Sequence, residues 1–201
     1  FAKEHGEAIE DFTVFANWCN HTTSLSNQSL EEEITKHNDP VLVKALEWSK
    51  AVNHGIETEL VGEDKPFEGV KSALEEISKV AQIAIVSSAN SEAVNSEWKR
   101  HGLMPFVSEF FGQERGSKAA AIKEIKSLGF EKEKILMVGD APGDLDAAKV
   151  NEVHFYPILF GKEKESWETL VAKILPEFIG GHYNDIEYQA IYHNHLSQFK
   201  S

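Results

Sequence analysis

The sequence predicts an α/β fold, a three-layer Rossmann-like parallel sheet, joined to a small all-helical unit. Three observations carry this. From about Pro66 onward, short apolar runs alternate with helical patterns, and strands that read as near-continuous apolar segments belong in a parallel sheet covered by helices on both faces. The first 60 residues contain no strand-like run. Between the two stretches, residues 62–69 read GEDKPFEG, where glycine, proline and charge come together as they do at a hinge. The expected division is 1–63 helical and 64–201 α/β with C-terminal helices.

Taking the elements in order, Phe12, Phe15, Ala16 and Cys19 recur at helical spacing. The polar stretch HTTSLSNQS at 21–29 reads as a loop. Asn38-Asp39-Pro40 reads as a helix start, a capping side chain followed by proline at or near the first helical position. The helix beyond it carries Leu42, Val43, Leu46, Val52 and Ile56 with Trp48. Trp18 and Trp48 are expected in the core of this unit, Cys19 is expected to pack, and Glu31-Glu32-Glu33 is expected to face solvent. In the second unit, strands are expected at Gln82–Val86, Val107–Phe111, Ile135–Val138 and Val153–Tyr156. Helices are expected at Ser91–His101, Lys118–Leu128, Asp144–Val150, Glu163–Phe178 and Ile186–Phe199, with a break at Gly180-Gly181 between the last two.

The chain of 201 residues is long enough for one domain with a substantial core plus a small accessory unit. Its 41% hydrophobic and 26% charged residues are ordinary for a soluble globular protein. A net charge of −13 argues against nucleic acid as a partner, because phosphate backbones need a basic surface; a small anion could still find a locally positive site. Cys19 is the only cysteine, so no intrachain disulfide forms and a reducing compartment fits. No apolar run approaches the roughly 20 residues of a membrane span, and the opening FAKEHGEAIE has no signal-peptide pattern. A cytoplasmic location is the default expectation.

In a parallel α/β sheet, ligands bind beyond the carboxyl ends of the strands, and three such ends carry suitable groups. QIAIV runs into Ser87-Ser88-Ala89-Asn90, where a hydroxyl and backbone amides meet a helix start, a ready anion site. Gly116-Ser117-Lys118 opens a helix from which Lys118 can reach a phosphate. ILMVG runs into Asp140, with Asp144 four residues on and Asp146 beyond. Two carboxylates on one short loop are costly without a cation, and oxygen-only ligands suit a hard ion such as Mg²⁺. Each residue also has a plainer reading: Ser87 or Asp144 as a helix cap, Lys118 as a surface lysine, Asp146 as part of a solvated first turn. Their shared position at strand-to-helix junctions favours chemistry. His193 and His195, two apart in a polar helix, do not share a face and read as surface.

These residues resemble the haloacid dehalogenase superfamily of hydrolases, mostly phosphatases. VGDAPGDLDAAK is similar to the family's fourth motif, which implies Asp140 as a metal ligand and Asp144 as a metal-supporting carboxylate. IAIVSSAN resembles the second motif and implies Ser87 as a phosphate-binding hydroxyl, with Ser88 beside it. GSKAAAI resembles the third and implies Lys118 as the lysine that neutralises phosphate and nucleophile. KPFEGVKSALEEI resembles the segment by which the chain re-enters the core after a helical cap, so residues 1–63 would be a cap that closes over the site and selects substrate. The resemblance covers about residues 64–160 and implies Mg²⁺-dependent hydrolysis of a small phosphorylated metabolite through a phospho-aspartate.

The family's first motif, a buried strand ending in Asp-x-Asp, is not found in these 201 residues. Asp11-Phe12-Thr13 sits in a helical pattern, Asp144-Leu145-Asp146 belongs to the fourth motif, and Asp185-Ile186-Glu187 follows a Gly-Gly break. In the family that strand lies between those expected here at 82–86 and 135–138, and it carries the nucleophile. The expectation is that the strand lies upstream of residue 1 or on another chain. Two alternatives remain open: a non-catalytic phosphate- or metal-binding relative, and a dehalogenase or phosphonatase, the latter needing a cap lysine from among Lys3, Lys36, Lys44 and Lys50.

Overall fold

The computed structural model describes residues 11–22, 27–59, 64–89, 91–112 and 115–199. Lys3, Asn90, Gly62, Glu63 and residues 23–26 of the expected loop lie outside them. The chain divides into two compact units, Phe1–Lys65 and Pro66–Ser201. Among the described residues no helix is long and apolar enough to cross a membrane.

The first unit contains α1 (Thr13–His21), α2 (Asn27–His37) and α3 (Pro40–Glu59). The start of α3 forms as its sequence dictates: Asp39 Oδ1 accepts from Val41 N at 2.8 Å, and Pro40 opens the helix. Trp18, Leu30 and the fully buried Leu42 form the core, with Phe15, Cys19 and Leu46 packed around them. Trp48 does not join them and is 71% exposed. Six residues past Leu42, at about 100° per residue, it points about 120° away from the buried face. Val52 and Ile56 are exposed for a different reason. Ser49 Oγ donates to Asn27 Oδ1 at 2.7 Å, so α2 begins opposite Ser49 and the second half of α3 runs past it.

The second unit is α/β. Its elements are α4 (Val70–Ser78), β1 (Ala84–Val86), α5 (Ser91–Arg100), β2 (Glu109–Phe111), α6 (Lys118–Ser127), β3 (Leu136–Gly139), α7 (Pro142–Asn151), β4 (His154–Pro157), α8 (Glu163–Thr169), a π turn over Leu170–Ile174, α9 (Leu175–Ile179) and α10 (Asp185–Ser197). The expected strands all form, each within two or three residues of its expected ends. The expected long helix at 163–178 is interrupted by the π turn. α4 lies outside the expected elements, although Val70, Ala73, Leu74 and Ile77 carry helical spacing.

The strands form two separate parallel pairs. β1 pairs with β2, aligning Ile85 with Phe110, and β3 pairs with β4, aligning Met137 with Phe155. Among the described residues, β1 and β3 each pair along one edge only. Leu136, Met137 and Val138 are half-buried, although the apolar run reads as a strand covered on both faces. With one edge unpaired, that strand keeps part of its surface open.

Around β3 and β4 the packing is dense. Ile122 of α6, Leu145 and Ala148 of α7, Phe155 of β4 and Tyr192 of α10 form one cluster. Tyr156, Leu170, Ile174 and Tyr183 form another on the far face of β4. α4 links the two strand pairs: Val70 and Leu74 pack against Leu103, Ile83 and Trp98 near β1, and against Trp167 of α8. At Gly69, which opens α4 with φ +92°, an added Cβ would stand 3.5 Å from Trp167 Cβ.

Candidate active site

The site is built where β3 ends. Gly139 gives way to Asp140, and α7 begins two residues later at Pro142. Gly139 is needed here because an added Cβ would stand 2.6 Å from Asp144 Cβ and closer still to its carboxylate. That close approach folds Asp144 back over the loop. Its Oδ2 accepts from Ala141 N at 3.0 Å, and its own amide donates to Ala141 O at 3.0 Å. Asp144 therefore does cap α7, but capping does not account for its other oxygen.

Asp144 is 2% exposed, and a buried carboxylate is strongly unfavourable unless a cation and hydrogen bonds offset it. The cation is Lys118, whose Nζ donates to Asp144 Oδ1. Lys118 is the first residue of α6, where Ser117 Oγ accepts from Ala120 N at 3.2 Å. A positive side chain in a helix's first turn opposes the helix dipole, so this placement gains nothing for α6 alone.

Asn151, buried at the end of α7, fixes the spacing of the two helices. Its Nδ2 donates to Ala119 O at 3.0 Å and to Ala147 O at 2.9 Å, while its backbone carbonyl accepts from Lys126 Nζ at 2.8 Å. One side chain thus holds α6 to α7 and sets Lys118 against Asp144.

The Asp140 side chain is exposed at the end of β3, and its backbone carbonyl accepts from Tyr192 Oη at 2.7 Å. Tyr192 is buried edge-on against Phe155, with ring centroids 5.5 Å apart. Burial pushes its phenol up to about 12, and the charges of Asp144, Asp140 and Asp146 add to the shift. Asp146 is exposed, in keeping with a solvated first turn.

Lys118 and Asp144 are therefore paired, and Asp140 stands on the same loop four residues before Asp144. Ser87 and Ser88 stand at the end of β1, in the other strand pair. Ser87 N donates to Phe111 O at 2.9 Å, and its Oγ accepts from Ala89 N at 3.1 Å. Among the described residues, no hydrogen bond joins either serine to Lys118, Asp140 or Asp144. The helix read as polar surface divides in two. His193 is exposed as expected, while Tyr188 and Tyr192 are buried. Their spacing of four residues puts them on one helix face, and that was the signal available for Tyr192. Asn151 had no comparable signal.

The model of the family described as haloacid dehalogenase-like hydrolase matches residues 8–158. The chain belongs to that family. As a HAD-like hydrolase it has the expected fold among solved structures. A provisionally assigned β-phosphoglucomutase from Thermotoga maritima superposes with a TM-score of 0.50 at 18% identity, over 78% of this chain and 73% of that one. A HAD-superfamily hydrolase of subfamily IA, variant 1, from Geobacter sulfurreducens PCA gives a TM-score of 0.47 at 16% identity, over 78% and 74%. No curated protein matches the chain. At 18% identity the first likeness shows the Rossmann-like fold of the HAD-like hydrolases and nothing finer.

Proposed function

We propose that this HAD-like hydrolase is a Mg²⁺-dependent phosphatase acting on a small phosphorylated metabolite. The observation that supports this most is the pairing of the buried Asp144 with the half-buried Lys118, on the loop that carries the exposed Asp140 at the open end of β3. The donor set fits the ion: Asp140 and Asp144 offer only oxygen, and with Lys118 the three groups carry a net charge of −1. A hard divalent cation satisfies such a set together with substrate phosphate. Asp140 and Asp144 would hold Mg²⁺, which when bound would offset charge on the phosphoryl oxygens.

The protein's own groups supply the rest. Lys118 is a fixed cation for a phosphoryl oxygen, and Ser87, with Ser88, offers hydroxyl donors at the end of β1. The nucleophile is proposed to be an aspartate on a central strand between β1 and β3, supplied from upstream of Phe1 or by another chain. The unpaired edges of β1 and β3 and the half-open Leu136, Met137 and Val138 support such a strand. The aspartate oxygen would attack phosphorus, expel the alkoxide, which takes a proton, and leave an acyl phosphate that water hydrolyses. The helical unit, residues 1–63, is proposed as the cap that selects substrate.

The test is hydrolysis of p-nitrophenyl phosphate by the full-length protein. Turnover should need Mg²⁺ and should be lost in Asp140→Asn. Absence of turnover across a panel of phosphate esters would contradict the reading.

A further inference from the structure

The Asp140–Ala141 peptide is held from both sides. Its carbonyl accepts from Tyr192 Oη at 2.7 Å, and its N–H donates to Asp144 Oδ2 at 3.0 Å. In a planar trans peptide these two groups point in opposite directions, so the two bonds fix the rotation of the plane. That rotation sets the backbone at Asp140 and hence the direction of its Cα–Cβ bond. One bond comes from Asp144 in the first turn of α7, directly after the loop. The other comes from α10, which lies outside the residues 8–158 matched by the family.

Tyr192 is placed to serve as such a tether. It is 1% exposed, its ring is set against Phe155, and α10 is pinned to β4 where Asp185 Oδ2 accepts from Phe155 N at 3.3 Å. The hydroxyl reaches past the apolar cluster to a single acceptor, the Asp140 carbonyl. Packing alone would be satisfied by phenylalanine.

We infer that Tyr192 is a positioning residue: its hydroxyl, acting with the Asp144 carboxylate, fixes the Asp140–Ala141 peptide and aims the Asp140 side chain at the metal. This rests on the proposed metal role of Asp140, and two readouts keep the two ideas separable. In the full-length protein, Tyr192→Phe keeps the ring and removes the bond. Amide hydrogen exchange at Ala141 should quicken about tenfold, with exchange in α6 and β4 unchanged, whereas a loss of packing would quicken all three. Mn²⁺ affinity, followed by electron paramagnetic resonance, should fall about tenfold, the lower end for loss of a group that orients a metal ligand. Unchanged exchange at Ala141 overturns the tether. Quickened exchange with unchanged Mn²⁺ affinity overturns its link to the metal. If the wild-type protein binds no Mn²⁺, the metal reading of Asp140 falls, and with it the aim assigned to the tether.

Discussion

The two strand pairs of the α/β unit are built differently. β3 and β4 stand among α6, α7 and α10, with Phe155, Ile122 and Tyr192 almost wholly buried. β1 and β2 bury Ile85 and Phe111 but are more lightly covered: α5 has no fully buried residue, and Ala84 in β1 is exposed. The first pair presents a set of groups locked by hydrogen bonds, Lys118 on Asp144, Asp144 on Ala141 and Tyr192 on Asp140. The second presents Ser87, whose hydroxyl accepts from Ala89 N. The groups proposed to bear fixed charge lie on the densely packed half, while the proposed neutral donors lie on the lighter one. Charged groups gain most from being held in place beforehand, since reorganising them is the larger expense.

This contrast can be broken at several strengths. The largest effect is expected in the rigid half: Phe155→Ala should lower stability by about 3–5 kcal/mol, as large buried side chains do. Trp98→Ala in α5, whose ring is only partly buried, should cost clearly less in the same urea titration. Next, Lys118→Met leaves the Asp144 carboxylate buried with one N–H partner and should cost about 3 kcal/mol.

Asn151→Ala cuts the side-chain bond to Ala119 O that joins α7 to α6, together with the bond to Ala147 O within α7, and should cost about 1–3 kcal/mol, with reduced turnover because Lys118 shifts against Asp144. Alkaline pH should act on the same half. Tyr192, Tyr156 and Tyr183 all have raised phenol pKa values, chiefly from burial. Below pH about 10 these rings are neutral in both states. Above it the unfolded chain loses phenolic protons that the folded chain keeps, so stability should fall from pH 10 through about 12, where Tyr192 itself ionises. Tyr192→Phe should flatten that fall in an alkaline denaturation series. The smallest effect is expected at Ser87→Ala, under about 1 kcal/mol in stability, although turnover should drop if the hydroxyl binds phosphate.

Much of the α/β unit was legible in the sequence because its strands are short apolar runs between helical patterns. The run ILMVGDAPGDLDAAK located the loop, and the segment GSKAAAI located Lys118. Three things were not legible, each for a physical reason. Trp48 is apolar and at helical spacing, but it lies off the buried face of a helix longer than its partner. Asn151 binds backbone carbonyls on two helices, and backbone acceptors leave no trace in sequence. Tyr192 sits in a helix whose polar residues masked two buried tyrosines. The unpaired edge of β3 follows from the missing first motif rather than from the strand's own residues, because an apolar strand reads the same whether one edge or both are paired.

The central claim is that Lys118, Asp140 and Asp144 form half of a phosphoryl-transfer site whose nucleophile comes from a further strand. The most direct measurement is to trap the acyl phosphate from the full-length protein at low pH, reduce it with borohydride and map the modified residue by mass spectrometry. The account predicts modification at an aspartate outside residues 11–199, abolished in Asp140→Asn. Modification at an aspartate within those residues, or turnover of phosphate ester with no acyl phosphate formed, would contradict it.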